Sequence, residues 1–168
     1  MQENSGKEYF LKENEFIVSK TDKTGKITYC NEPFMRLAKA RLDELLYKPH
    51  NIIRHPDMPR IVFKLLWDRI KNKEEIFAFV KNQSLDGGFY WVFANVTASV
   101  DADGNIVGYH SVRRKPRADA VKFIEPIYKQ LLEAEKIGGM DASLKLLTQI
   151  LNDNRISYDE LVNNLQRG

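Results

Sequence analysis

The chain has 168 residues, with 26 Lys and Arg against 23 Asp and Glu, for a net charge of +3. That length suits one ordinary domain plus an appendage, and 43% hydrophobic residues with 9 Phe, 7 Tyr and 2 Trp argue against wholesale disorder. The small, evenly spread charge argues against nucleic acid, a single cysteine (Cys30) rules out an internal disulfide or a thiolate metal site, and no apolar run approaches the ~20 residues of a membrane span.

Residues 1–14 form an N-terminal segment whose start, Met1 to Lys12, is polar and has no signal-peptide core. The expected location is cytoplasmic, with no direct membrane insertion; any contact with the inner membrane runs through a partner. Phe16 to Thr21 reads as a strand, Asp22-Lys23-Thr24-Gly25 as a turn and Lys26 to Cys30 as a second strand. Asn31 is placed to cap a short helix carrying Phe34, Leu37 and Ala38, and a further short helix runs from about Leu42 to Leu46. Three prolines between Lys48 and Pro59 forbid a long helix or a paired strand there.

Asp57 is expected to cap the next helix, at a gain of ~1 kcal/mol. Its apolar face is Met58, Ile61, Val62, Leu65, Leu66 and Ile70, and it ends near Asn72. Ile76 to Lys81, Phe89 to Val100 and Ile106 to Arg114 read as three strands, joined by turns at Leu85-Asp86-Gly87-Gly88 and Asp101 to Asn105. From Ala118 the period becomes helical. Val121, Ile124, Tyr128, Leu131 and Leu132 share a stripe that Pro126 interrupts, and Gly138-Gly139 stops it. Asp141 and the capping box Ser157 to Glu160 open two further helical stretches. Segregated strands and helices predict an α+β fold: a domain over 15–117 and a helical appendage over 118–168, whose apolar stripes must cover the sheet or a partner.

Asn31-Glu32-Pro33-Phe34, Lys48 through Pro59, Val80-Lys81-Asn82, Tyr90-Trp91-Val92, Ala94-Asn95 and Glu125 through Lys129 carry a resemblance. Together they resemble the PAS sensor domains of aerotaxis receptors, over about residues 15–132, and the Arg-His-Pro-Asp-Met-Pro run at 54–59 is its most specific part. The resemblance is closest to the stand-alone, CetB-type members, which work with a separate membrane-bound chemoreceptor. It implies a five-stranded antiparallel sheet with short helices on one face, non-covalent FAD, and redox or energy sensing for aerotaxis. It also implies signalling to a chemoreceptor of the methyl-accepting class; a homodimer is a further partner state.

The candidate cofactor-binding residues are Asn31, Arg54, His55, Asp57, Trp67 and Asn82. Asn82 offers one acceptor and two donors to a flavin edge; by spacing alone it serves equally well as a turn cap, and the resemblance tips it towards the cofactor. Arg54 can hold a diphosphate in the plane of its guanidinium, with His55 as a second donor or a stacking ring. Residue chemistry alone would leave this pair on a solvent-facing loop. Trp67 is a stacking partner by resemblance and a core residue by default. Asn31 is a cap by spacing and a cofactor-linked position by resemblance. Asp57 acts indirectly, as a helix cap.

Two departures from related sensors matter. The stretch His50 to His55 lacks the reactive cysteine of light-sensing LOV domains, so no cysteinyl photoadduct is expected. Ile76 stands where aerotaxis-receptor domains carry a tryptophan. Two readings compete with the flavin: a haem sensor ligated by His50 or His55, and a cofactor-free interaction module. An enzyme is not expected, because no nucleophile–base set, phosphate loop or zinc spacing is present.

Overall fold

The computed structural model describes residues 6–168; Met1 to Ser5 of the N-terminal segment lie outside them. Six strands and five helices follow in the order β1 (Glu8–Tyr9), β2 (Ile17–Asp22), β3 (Ile27–Cys30), α1 (Glu32–Ala38), α2 (Leu42–Leu45), α3 (Arg60–Lys71), β4 (Ile76–Gln83), β5 (Phe89–Val100), β6 (Ile106–Arg114), α4 (Ala118–Asp153) and α5 (Tyr158–Arg167). A 3₁₀ turn at His50–Ile53 precedes α3.

The five expected strands form the antiparallel sheet, in the spatial order β4-β5-β6-β2-β3. The short β1 was not foreseen. It pairs parallel to β5 at Phe89 and Tyr90, in the lane next to the end of β6, whose last partner on β5 is Phe93. Gly88 permits this approach: a Cβ there would meet the Tyr9 ring at 2.5 Å and the Lys7 carbonyl at 2.8 Å.

Strand alternation divides the sheet into two faces. One face carries Ser19 and Thr21, Val80 and Asn82, Tyr90 and Ala94, and Tyr109, Ser111 and Arg113, as the pairing register requires. The short helices and α3 lie over it. The other face carries Phe77, Phe79, Trp91 and Phe93. This apolar surface is what the appendage covers: Trp91 stacks on Tyr128 with centroids 6.1 Å apart, and Phe93 packs on Phe77 and Phe79. Tyr128 Oη donates to the Phe79 carbonyl (2.6 Å) and Tyr158 Oη to the Phe77 carbonyl (2.8 Å). Both carbonyls lie on the outer edge of β4, so the appendage also closes an edge that would otherwise offer unpaired backbone groups.

Two local expectations change. α4 runs through Pro126 rather than breaking there, because the proline and Lys122, whose carbonyl it cannot bond, are both exposed to water. The break comes at Gly139, where φ is +70°, a conformation open to glycine. α3 begins at Arg60 and Asp57 does not cap it. Glu135 of α4 does so instead, its carboxylate accepting from the Arg60 N–H (3.0 Å) and the Ile61 N–H (2.9 Å).

Candidate functional site

A cavity of about 270 Å³ lies between the sheet and α3. Its walls are mostly apolar: Ile53, Phe63, Leu66, Trp67, Ile70, Val80, Ala94 and Val96. Polar side chains also line it, among them Ser19, His50, Asn82, His110, Ser111 and Arg113. A few fixed polar groups in an apolar wall are the usual make-up of a small-molecule site.

The sequence dictates this shape locally. Asp22 Oδ1 accepts from the N–H groups of Thr24 (2.8 Å) and Lys26 (3.0 Å), which tightens the β2–β3 turn. Gly25, at φ +88°, places that turn against the Trp67 ring; a Cβ there would touch it at 3.4 Å. Trp67 also meets Tyr109 edge-on at 5.2 Å between centroids. Pro49, Pro56 and Pro59 keep the segment before α3 irregular, so it folds across the cavity mouth instead of joining a helix.

A second, wider cleft of about 570 Å³ lies between this segment and α4. Asn51, Arg54, His55, Met58, Arg60, Leu132, Glu135 and Lys136 line it. Asn51 and Arg54 line both spaces and therefore stand at their junction. The Arg54 backbone forms an isolated antiparallel bridge with Asn82, and its guanidinium lies 4.3 Å from the centre of the Phe63 ring.

The six residues named from sequence thus separate into three groups. Arg54, Trp67 and Asn82 line the inner cavity. His55 lines only the outer cleft, where it is buried edge-on to Phe89 and accepts from the Asp57 N–H through Nδ1 (3.0 Å). Burial, then the nearby Lys81 ammonium, lowers its pKa, so the ring is neutral at pH 7. Asp57 pairs with the buried Lys81 Nζ at 2.7 Å, which corrects its assignment as a helix cap. Asn31 lines neither space. Its amide accepts from Val18 N–H (3.1 Å) and Phe34 N–H (3.4 Å) and donates to the Phe16 carbonyl (2.9 Å), tying α1 to β2.

The sequence reading missed Arg113, Ser19 and Tyr90. Arg113 is 2% exposed and faces the cavity. One of its nitrogens donates to Ser19 Oγ and its guanidinium carbon lies 4.7 Å from the Phe34 ring centre, but Nε and Nη1 have no hydrogen-bond partner among the described residues. Ser19 Oγ is also 3.2 Å from His50 Nε2. Burial, then the Arg113 charge, lowers the His50 pKa to about 3. The Tyr90 hydroxyl is buried opposite Asn82 across the strand pair; burial pushes its pKa up to about 12, and the Asn82 side chain pulls it the other way. The signal available in sequence was the alternation of β6, which puts Arg113 on the same side as Tyr109 and Ser111.

The PAS fold family matches residues 15–114 of the chain. The chain belongs to the PAS family. It is similar to the aerotaxis receptor of Escherichia coli (strain K12), with 37% identity over 121 residues, 72% of this chain and 24% of that protein. A nitrogen fixation regulatory protein of Klebsiella pneumoniae is 27% identical over 97 residues, 58% of this chain and 20% of the relative. The chain thus spans about a quarter or less of these relatives. Among solved structures, the dark state of the blue-light photoreceptor Aureochrome1 LOV superposes with a TM-score of 0.58 at 26% identity, over 70% of this chain and 86% of that one. This is a PAS sensor domain related to the aerotaxis receptor and to LOV domains, and no helix among the described residues is long and apolar enough to cross a membrane.

Proposed function

We propose that this PAS domain is a redox and energy sensor that binds FAD non-covalently and signals to a membrane-bound chemoreceptor in aerotaxis. The observation that carries this reading is the apolar inner cavity that meets the cationic outer cleft at Arg54. At about 270 Å³ the cavity suits a planar ring system, while the remainder of a dinucleotide needs the space beyond Arg54. Phe63, Leu66 and Trp67 supply apolar walls for the ring, and Asn82 supplies mixed donors and acceptors for its polar edge. Arg54, with Arg60 and Lys136 in the same cleft, supplies cations for the diphosphate.

The flavin, when bound, supplies reversible electron transfer; the chain supplies position and electrostatics. Asn31 and Asp57 act at a distance, by fixing α1 and Lys81, and His55 acts from the outer cleft. The sheet and α3 take up two arrangements, and the chemoreceptor binds them unequally through α4 and α5. The domain then acts as a sensor rather than an enzyme. In the CetB-type arrangement favoured by the resemblance, sensor and receptor are separate chains, and the sensor reaches the inner membrane from the cytoplasm through its receptor. A homodimer through the appendage is the alternative partner state.

The deciding experiment is an absorption spectrum of the purified protein with extraction of any bound group. Flavin bands and release of FAD on denaturation are the expected result. A Soret band lost in His50→Ala would instead establish the haem reading, since His50 is the histidine whose ring nitrogen bonds a cavity-lining group. A colourless protein that still binds its receptor fully would establish the cofactor-free module.

A further inference from the structure

The outer cleft has one wall that the PAS fold does not supply. Arg54 and Arg60 line it from the segment before α3 and from the first turn of α3, while Leu132 and Lys136 line it from α4. The family match ends at residue 114, so both α4 residues belong to the appendage. The cleft is cationic. Arg54, Arg60 and Lys136 share it with one carboxylate, Glu135, which the Arg60 and Ile61 N–H groups already engage. Lys136 pairs with Glu133 at 2.9 Å, but both side chains are more than half exposed, so that pair holds it weakly. The other carboxylate that acts on Lys136 is Asp57, and Lys81 is bonded to it. Just beyond Lys136 the helix breaks: Ile137 is 89% exposed and Gly139 has φ +70°. Little side-chain packing holds this elbow, so it can open locally while the sheet stays folded.

We propose that the outer cleft is a latch: the anionic, adenosine-bearing half of a dinucleotide binds between Arg54 and Lys136 and ties α4 to the segment before α3. The length of the ligand, and not only its ring, then sets how firmly the appendage is held. This extends the FAD reading and rests on it. Among the described residues no α4 residue lines the inner cavity, so a ring bound there leaves α4 untouched. A diphosphate bonded by cations on both walls of the cleft must be given up before α4 can swing away. A ligand that binds only the latched form stabilises that form by mass action. Lys136 is a binding residue in this account, and Leu132 gives the base an apolar surface. A mononucleoside flavin such as riboflavin fills the inner cavity without closing the latch.

The test is hydrogen–deuterium exchange of the full chain with saturating FAD or riboflavin, read by mass spectrometry over residues 132–142 and over β4. Both ligands should protect β4 alike, through Val80 and Asn82. Over 132–142, FAD should slow exchange about fivefold or more beyond riboflavin. Lys136→Ala should abolish that difference with FAD still bound, and its failure to bind FAD while it keeps riboflavin supports the same contact. Lys129→Ala, on the same helix but lining neither space, should behave as wild type. Equal protection of 132–142 by FAD and riboflavin overturns the latch. So does a Lys136→Ala protein that matches wild type, or a loss that Lys129→Ala shares. If neither flavin binds, the FAD reading fails and ADP becomes the probe. Protection of 132–142 by ADP that Lys136→Ala removes keeps the latch; no protection by ADP overturns it.

Discussion

The carboxylate of Glu135 accepts from the backbone N–H of Ile61 at 2.9 Å, across 74 residues of sequence. A residue of the C-terminal helices thereby provides the N-terminal cap of α3, the helix that carries Trp67 and walls the cavity. At the other end of α3, Arg69 pairs with Asp159 of α5 at 2.9 Å. Any shift of α3 against the sheet must therefore strain or move α4 and α5. That is a physical basis for passing a change in the cavity to a partner bound on the appendage.

Removing this cap should be costly. Glu135 is buried, and its loss leaves the Arg60 and Ile61 N–H groups unmet. Glu135→Ala is expected to lower stability by ~1–3 kcal/mol in urea unfolding. Glu135→Gln, which keeps one acceptor oxygen, should lose less. Equal losses would place the effect in packing rather than in the cap.

Stability should fall with acid in a window set by His50. Its folded pKa of about 3 lies below the ordinary value of 6.5, so the unfolded chain binds the extra proton between these two values. The contribution is full above about pH 6.5 and is lost as the pH falls towards 3. Between pH 6 and pH 5 wild type should lose ~1 kcal/mol more than His50→Gln. Parallel stability curves for the two proteins over that interval would remove His50 as the cause.

The two ends of the proposed ligand can be separated by mutation. Arg54→Ala should weaken FAD binding about tenfold while leaving riboflavin, which lacks phosphate, nearly unchanged. Asn82→Ala should weaken both about equally. Fluorescence titration with each ligand gives the comparison, and equal losses for FAD and riboflavin in Arg54→Ala would take the diphosphate role from Arg54.

The Asp57–Lys81 pair offers an asymmetric test. Asp57→Ala leaves the Lys81 ammonium, whose side chain is 9% exposed, without its carboxylate. The loss should be ~1–2 kcal/mol, discounted because Asp57 itself is largely exposed. Lys81→Met removes the buried charge instead and should cost less or nothing. Thermal melts of both variants decide between them; a larger loss for Lys81→Met would mean that the ammonium contributes mainly through the Phe89 ring, whose centre lies 4.5 Å from Nζ.

Much of the fold was legible because it is written locally. The turn at Asp22 to Gly25, the alternation of β4 to β6 and the capping box at Ser157 each follow from neighbouring residues. The site was legible in its parts but not in its assembly. Arg54, Trp67 and Asn82 lie up to 28 positions apart in sequence, and it is the backbone bridge between Arg54 and Asn82 that joins two of them. Asp57 has the place of a cap because it precedes a helix, and the cap comes instead from Glu135, which no local pattern connects to Arg60. Arg113 opens the basic run Arg113-Arg114-Lys115-Pro116-Arg117, and such runs usually face water. Composition marks that run as a solvated exit, while strand alternation turns its first residue inward.

The lane that β1 shares with β6 has a consequence for how the domain can be cut. The family match starts at residue 15, yet Phe89 N–H donates to the Lys7 carbonyl at 2.9 Å. A chain trimmed to the family limits would leave the start of β5 with a vacant berth two residues wide, at Phe89 and Tyr90. A strand from a second copy could dock there, so a dimer found only with trimmed protein would report the missing β1 rather than a native assembly.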